Sequence, residues 1–351
     1  MTATSVIMSA LTLAATSGDL PVNGGVRLPE SLVGNPLVEE WDTPYQTPPF
    51  SEIELAHYEP AFDYAIAVNR AEVEAIINNP EAPTFENTIV AMTESGELLG
   101  RVAGLFFVLN NCSTSDQMQQ IAMNITPKLT ELENDISLNP ELFARVKAVY
   151  DQRKKLKLDE QDMQLLEDTY KGFARSGALL EGRDKELYRE YSSELSQLTL
   201  KFGQNAQAAT NAFSYNITDP AKVEELPAFV KEGLAAEAEA RGEKGWTVTL
   251  HAPSYSPFMT YSTQRDIKEA LYRAYNTRGI GGETDNVENI RRIAELRLKI
   301  ANLLGYKCYA DYVLEDRMAE STKTVNGFLA ELNKATLSYA KKDVAAITEY
   351  A

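Results

Sequence analysis

From Pro60 onward, apolar residues recur at helical spacing along almost the whole chain, and this period constrains the fold more than any other feature. Ala61, Phe62, Ala65, Ile66, Val73, Ile76 and Ile77 make the first stripe, closed by Pro80 and Pro83. Thr84 caps a second helix that reads to about Asn110 through Phe85, Ile89, Met92, Leu99, Val102, Phe106 and Leu109. Ser115 caps a third, bent at Pro127. Asn139-Pro140 joins a cap to a first-turn proline and opens a helix to about Arg153. Asp159 starts another that ends near Gly177. A long helix follows from Asp184 to about Phe213, with Leu187, Tyr191, Leu195, Leu198 and Phe202 on one face. Leu234–Ala240 is composed of strong helix formers. The pattern breaks once: Trp246 to Leu250 alternates as a β-strand does, bounded by Gly245 and Pro253, and His251 to Phe258 is turn-rich. Helices resume at about Thr263, at Asp285 (ending before Gly305) and at Thr322. The last reads to Ala351 with no stop signal, so the chain is expected to be cut inside a helix. The expected class is mainly α with one short β element near Trp246–Leu250. No fixed period joins the segments, which argues against a solenoid.

Charge and the scarce metal-ligating residues narrow the chemistry. The 351 residues carry a net charge of −17, with only two histidines, His57 and His251, and two cysteines, Cys112 and Cys308. Two widely separated histidines do not make a histidine-rich metal site. Two cysteines exclude a zinc ribbon, an iron–sulfur cluster and a disulfide scaffold, and leave only a single Cys112–Cys308 bridge open. Residues 1–127 hold three basic and sixteen acidic residues, net −13. Such a face repels nucleic acid and anionic membranes, so neither is an expected partner. No apolar run reaches the ~18 residues of a membrane span. Val6–Ala15 resembles the apolar core of a secretory leader, yet no Lys or Arg precedes it. The segment is a leader remnant or a disordered arm. The expected compartment is the cytoplasm, or the periplasm if the segment is a leader.

Each local motif has a plain structural reading beside the chemical one. His57-Tyr58-Glu59 matches H-x-E of zinc deaminases, but the required P-C-x-x-C is absent, so His57 reads as a helix-start residue. His251 follows the β-type run as a candidate general base, with a hydrogen-bonded structural role favoured. Arg278–Asn286 is glycine-rich like a phosphate loop, but no Gly-Lys-Ser/Thr follows and no strand precedes it. It reads as a helix–helix turn in which Gly279, Gly281 and Gly282 take positive φ. No G-x-S-x-G occurs, and Cys112 has no imidazole or basic neighbour in sequence to activate it. Tyr255, Tyr261, Tyr272 and Tyr275 gather around the β-type run, either as amphipathic packing or as a peptide-binding wall. Asn111, Asn124 and Asn216 stand in N-x-Ser/Thr triplets that chance explains.

Longer word-like stretches add a resemblance. Asn35-Pro36-Leu37, Trp41-Asp42-Thr43-Pro44, Pro48-Pro49-Phe50, His57-Tyr58-Glu59-Pro60-Ala61-Phe62, and the run Asn79 to Ile89 resemble the opening of bacterial peptidyl-dipeptidases. The similarity continues in order through Ser95-Gly96-Glu97-Leu98-Leu99, Arg175-Ser176-Gly177-Ala178 and Phe202-Gly203-Gln204-Asn205. It extends to Leu303-Leu304-Gly305-Tyr306, Ala310-Asp311-Tyr312 and Arg317-Met318-Ala319. The series covers roughly residues 35–351 and is similar to the thimet-oligopeptidase-like zinc metallopeptidases. The resemblance implies a helical, two-lobed zincin-type oligopeptidase with a deep channel. It implies zinc held by an H-E-x-x-H helix plus a downstream Glu, and oligopeptide substrates that lose dipeptides from the carboxyl end.

This chain contains no H-E-x-x-H: Tyr58 follows His57 and Ala252 follows His251. In the family the zinc helix and the substrate-binding Tyr and His residues lie beyond the position matching Ala351. No catalytic, cofactor-binding or metal residue therefore carries over. The expected organisation is an arm over 1–34, an amino-terminal helical domain over 35–245, and the start of the catalytic domain over 246–351. The expected function is the channel wall of such an enzyme, opposite the zinc. Alone, the chain is expected to be inactive and without zinc, its missing partner being the carboxyl-terminal catalytic lobe. The competing reading is a stand-alone helical peptide-binding module.

Overall fold

The computed structural model describes residues 22–350, so Val6–Ala15 lies outside the described residues. The chain divides into two compact units, one ending at Ala178 and the other beginning at Leu179.

The first unit opens with a two-residue ribbon, β1 (Val22–Asn23) antiparallel to β2 (Val26–Arg27). The sequence assigns this stretch to an unstructured arm, yet it is held down. The Tyr64 hydroxyl donates to the Val26 carbonyl at 3.2 Å, and Leu28, Leu32 and Leu37 are buried. Burying each such leucine is worth roughly 1.5–3 kcal/mol, which offsets the ordering of a short segment.

Six helices follow: α1 (Tyr58–Ile77), α2 (Ala91–Glu94), α3 (Glu97–Cys112), α4 (Asp116–Ser137), α5 (Pro140–Asp151) and α6 (Glu160–Arg175). Their starts obey the capping chemistry. Thr84 Oγ1 accepts from Asn87 N–H and opens a π-wound turn, Phe85–Val90, that runs into α2. Ser115 Oγ accepts from Met118 N–H, Asn139 Oδ1 from Glu141 and Leu142 N–H, and Asp159 Oδ1 from Asp162 N–H. The single helix expected from Thr84 to Asn110 is interrupted at Ser95-Gly96. Gly96 takes φ +77° and donates its N–H to Glu72 Oε2 at 2.8 Å. A glycine reaches that conformation without a Cβ clash, and the α1 carboxylate satisfies the freed donor.

α1 packs against α3, α4 and α5. Phe106 sits edge-on to Tyr58 and Phe62, ring centroids 5.0 and 5.6 Å away. Val73, Ile76, Phe85, Ile89, Leu142 and Leu166 belong to a buried cluster around α5 and α6.

The second unit contains α7 (Gly182–Ala212), β3 (Ser214–Ile217), α8 (Ala228–Ala240), β4 (Trp246–Thr249), α9 (Ala252–Tyr261), α10 (Arg265–Asn276), α11 (Val287–Leu303), α12 (Tyr309–Leu314) and α13 (Thr322–Tyr350). The β-type run is therefore not alone. β4 pairs antiparallel with β3, Ser214 opposite Thr249 and Ile217 opposite Trp246. The expected division at 245/246 falls inside this unit, between the two paired strands. A second departure is α9, which occupies the stretch read as turn-rich. Pro253 stands in its first turn, where a missing N–H costs nothing, and the His251 carbonyl accepts from Ser254 and Tyr255 N–H.

β4, α8, α9 and α10 enclose a core of Ile217, Val230, Leu234, Val248, Phe258 and Leu271. α7 packs along α11. A two-pronged pair ties them: Arg292 Nε and Nη2 each donate to a Glu194 carboxylate oxygen at 2.6 Å. That bond and the guanidinium charge hold the Glu194 carboxyl below its ordinary range. α13 has no buried residue, and Phe328, Leu332, Tyr339, Val344 and Ile347 are all exposed on it.

Candidate functional site

Both histidines make local hydrogen bonds. His57 Nδ1 accepts from Glu54 N–H at 3.0 Å, closing a reciprocal cap at the turn before α1. That spends one ring nitrogen on the backbone and gives the H-x-E match a local cause. His251 precedes α9 and uses both nitrogens: Nδ1 lies 3.2 Å from Thr249 Oγ1 and Nε2 3.1 Å from Asn211 Oδ1. A general base needs a lone pair free to take a proton, and both His251 nitrogens are engaged here, one by a hydroxyl and one by an amide oxygen.

Cys112 and Cys308 are free thiols, so the bridge left open by the sequence is not formed. No group of three His, Cys, Asp or Glu side chains comes together among the described residues. The residues present do not fit a zinc site.

The glycine-rich stretch is a braced turn. Gly279, Gly281 and Gly282 take φ near +70° to +76°. Asp285 Oδ1 accepts from Gly281 and Val287 N–H at 3.0 and 3.1 Å, which holds its carboxyl below the usual range. Asn286 is 3 % exposed. Its Nδ2 donates to the Phe202 carbonyl at 3.0 Å, and its Oδ1 accepts from Asn205 and Asn289 Nδ2 at 3.1 and 2.9 Å. Two of the loop's backbone donors thus meet a carboxylate of the loop itself, the opposite of an anion cradle.

The tyrosines separate into distinct contacts. Tyr255 stacks on Tyr275 with centroids 4.4 Å apart, and the Arg278 guanidinium lies 3.8 Å above the Tyr275 ring. Arg278 also donates to the Tyr275 carbonyl and to Thr210 Oγ1. Burial, with the neighbouring tyrosines, pushes the Tyr255 hydroxyl above its ordinary pKa. Tyr261 instead meets Phe229 edge-on at 6.0 Å, and Tyr272 is exposed. The ladder Tyr255–Tyr275–Arg278 adjoins the polar end of α7, where Thr210 and Asn211 stand. Arg278 and Asn211 were not singled out from sequence; the i, i+3 spacing of Tyr275 and Arg278 at a helix end was the available signal. The arrangement offers aromatic faces, amides and one cation, and no nucleophile–base pair.

Similarity to known proteins decides the kinship. Residues 258–351 match the profile of Peptidase family M3. The chain is 35 % identical over 318 residues to the dipeptidyl carboxypeptidase of Escherichia coli (strain K12), across 89 % of its own length and 46 % of that protein's. It is related to the M3 peptidases. The same kinship extends to oligopeptidase A of Salmonella typhimurium, 30 % identical over 322 residues, covering 90 % of this chain and 47 % of that one. Saccharolysin of Saccharomyces cerevisiae is 23 % identical over 266 residues, 75 % of this chain and 37 % of that protein. The chain spans about half the length of these curated relatives. No helix among the described residues is long and apolar enough to cross a membrane.

Proposed function

We propose that residues 35–351 are the amino-terminal part of a zinc-dependent peptidyl-dipeptidase, which removes dipeptides from the carboxyl end of oligopeptides. In this reading 35–245 supplies the channel wall opposite the zinc, and 246–351 begins the catalytic domain. The observation that carries it is the 35 % identity with a dipeptidyl carboxypeptidase, sustained over 318 residues that make up 89 % of the chain. α13 supports the reading further: its apolar side chains are uncovered among the described residues and suited to a further lobe. The zinc and the residues that polarise the peptide bond belong, in this proposal, to the catalytic lobe that completes the enzyme. Cytoplasmic residence is the compartment we assign, with the periplasm as the alternative if Val6–Ala15 acts as a leader.

The test is the purified chain with an N-acylated tripeptide, with and without added zinc. No dipeptide release and no stoichiometric zinc uptake are expected. Release that a chelator abolishes would overturn the assignment of the chemistry to another lobe. A chain that is monomeric, unfolds cooperatively and binds no hydrophobic dye would favour the stand-alone peptide-binding module instead.

A further inference from the structure

The first unit holds a cavity of about 440 Å³, within the roughly 300–1,000 Å³ of ordinary small-molecule sites. Met92, Leu99, Leu132, Ile136 and Phe173, from α2, α3, α4 and α6, form its apolar wall. Six polar side chains distinguish it from a packing defect: Asn69, Glu133, Asp168 and the hydroxyls of Ser137, Thr169 and Ser176. Asn69 of α1 lines it at 7 % exposure, and its side chain makes no hydrogen bond among the described residues. Its amide atoms are not sealed from water, so a ligand hydroxyl bonding them from inside the cavity exchanges for solvent and gains the net of an ordinary hydrogen bond, about 0.5–1.5 kcal/mol. A Cβ at position 96 would stand 2.9 Å from Asn69 Nδ2, so Gly96 leaves the room this amide needs.

Two of the other polar groups are carboxylates, and Thr169 spends its hydroxyl on the Leu165 carbonyl at 2.7 Å. Glu133 and Asp168 line the same cavity and are exposed. Glu133 has no ion pair among the described residues, and Asp168 accepts only from Gln164 Nε2, at 2.9 Å. No Lys, Arg or His lines the cavity. The site thus has an apolar wall, two exposed carboxylates, three hydroxyls and one amide of a buried residue.

We propose that this cavity binds a small amphipathic amine: an aromatic or aliphatic body against the leucines and Phe173, an ammonium between Glu133 and Asp168, and a hydroxyl at the far end on Asn69. The proposal is independent of the peptidase reading, since it uses no residue to which that reading gives a role of its own.

The probe is 4-hydroxyphenethylamine, titrated into the full chain by calorimetry. Phenethylamine, which lacks the hydroxyl, and 3-(4-hydroxyphenyl)propanoate, which reverses the charge, serve as comparators. One saturable site is expected, with phenethylamine about 5–10-fold weaker and the anion at least about 10-fold weaker. Asn69→Ala is expected to erase the difference between the two amines. Gly172→Leu is expected to abolish binding by filling the cavity; nothing lies within 4 Å of a Cβ there, so the variant has room to fold. The surface double variant Glu133→Gln, Asp168→Asn tests the charge without touching the core and is expected to bring the amine and the anion to within about 2-fold. No saturable binding, unchanged binding in Gly172→Leu, or an anion that binds as tightly as the amine would each overturn the proposal.

Discussion

Asn286→Ala is the sharpest test of the glycine-rich loop as a braced turn. The asparagine side chain makes three neutral hydrogen bonds, one donated to the Phe202 carbonyl and two accepted, from Asn205 and Asn289. At about 1 kcal/mol net for each, the substitution removes roughly 3 kcal/mol. Asn205 keeps a bond to the Asp285 carbonyl at 3.2 Å, so it is not left wholly unpaired, and the expected loss is about 2–3 kcal/mol. The two tryptophans, Trp41 and Trp246, fall one in each unit. In a Trp41→Phe background, Trp246 on β4 therefore reports unfolding of the second unit alone. With a urea m-value of roughly 2 kcal/mol/M, the midpoint should fall by about 1–1.5 M. A shift below about 0.25 M would refute the reasoning. Protection of the wild-type loop by inorganic phosphate would revive the anion-binding alternative.

Three further outcomes follow from other parts of the structure. Gly245→Ala should cost about 2 kcal/mol or more by urea unfolding, because Gly245 has φ +90° and a Cβ there would lie 2.2 Å from the Ile217 carbonyl oxygen; an unchanged midpoint would contradict it. Phe106→Ala should destabilise the first unit by about 3–5 kcal/mol, read by Trp41 fluorescence, since the ring is fully buried against Tyr58 and Phe62. Asp285, whose carboxyl is held low by the Gly281 and Val287 N–H groups, contributes stability that is present above the ordinary aspartate range. That contribution is lost as pH falls through the lower folded value. Asp285→Asn should therefore flatten the acid limb of stability against pH, and an unaltered limb would contradict the assigned bonds.

What was legible in the sequence was what is local. Thr84, Ser115, Asn139 and Asp159 each place a side-chain oxygen on a backbone donor two or three residues on, so spacing alone finds them. The features that escaped depend on distant partners. The break at Gly96 needs the Glu72 carboxylate from α1, and β3 becomes a strand only because β4 pairs with it some thirty residues later. α9 was hidden by its two prolines, one of which sits in the first turn where proline is harmless. The tyrosines are close in sequence, yet Tyr261 goes to Phe229 and Tyr255 to Tyr275, a partition set by packing. Asn69 lies on the apolar stripe of α1 and is indistinguishable there from any buried polar residue until its lack of a partner is seen. The family resemblance was legible because it rests on ordered words along the chain, and the 35 % identity over 318 residues repeats it.

The central proposal, that residues 35–351 are the amino-terminal part of a peptidyl-dipeptidase, is tested most directly by completing it. Residues 35–351 would be joined to the carboxyl-terminal remainder of the Escherichia coli dipeptidyl carboxypeptidase, of which the aligned region covers 46 %. Dipeptide release from an N-acylated tripeptide would then be followed with and without a chelator. Chelator-sensitive release by the chimera, with none from this chain alone, is the expected result. A chimera that folds and binds zinc yet releases no dipeptide would contradict the claim.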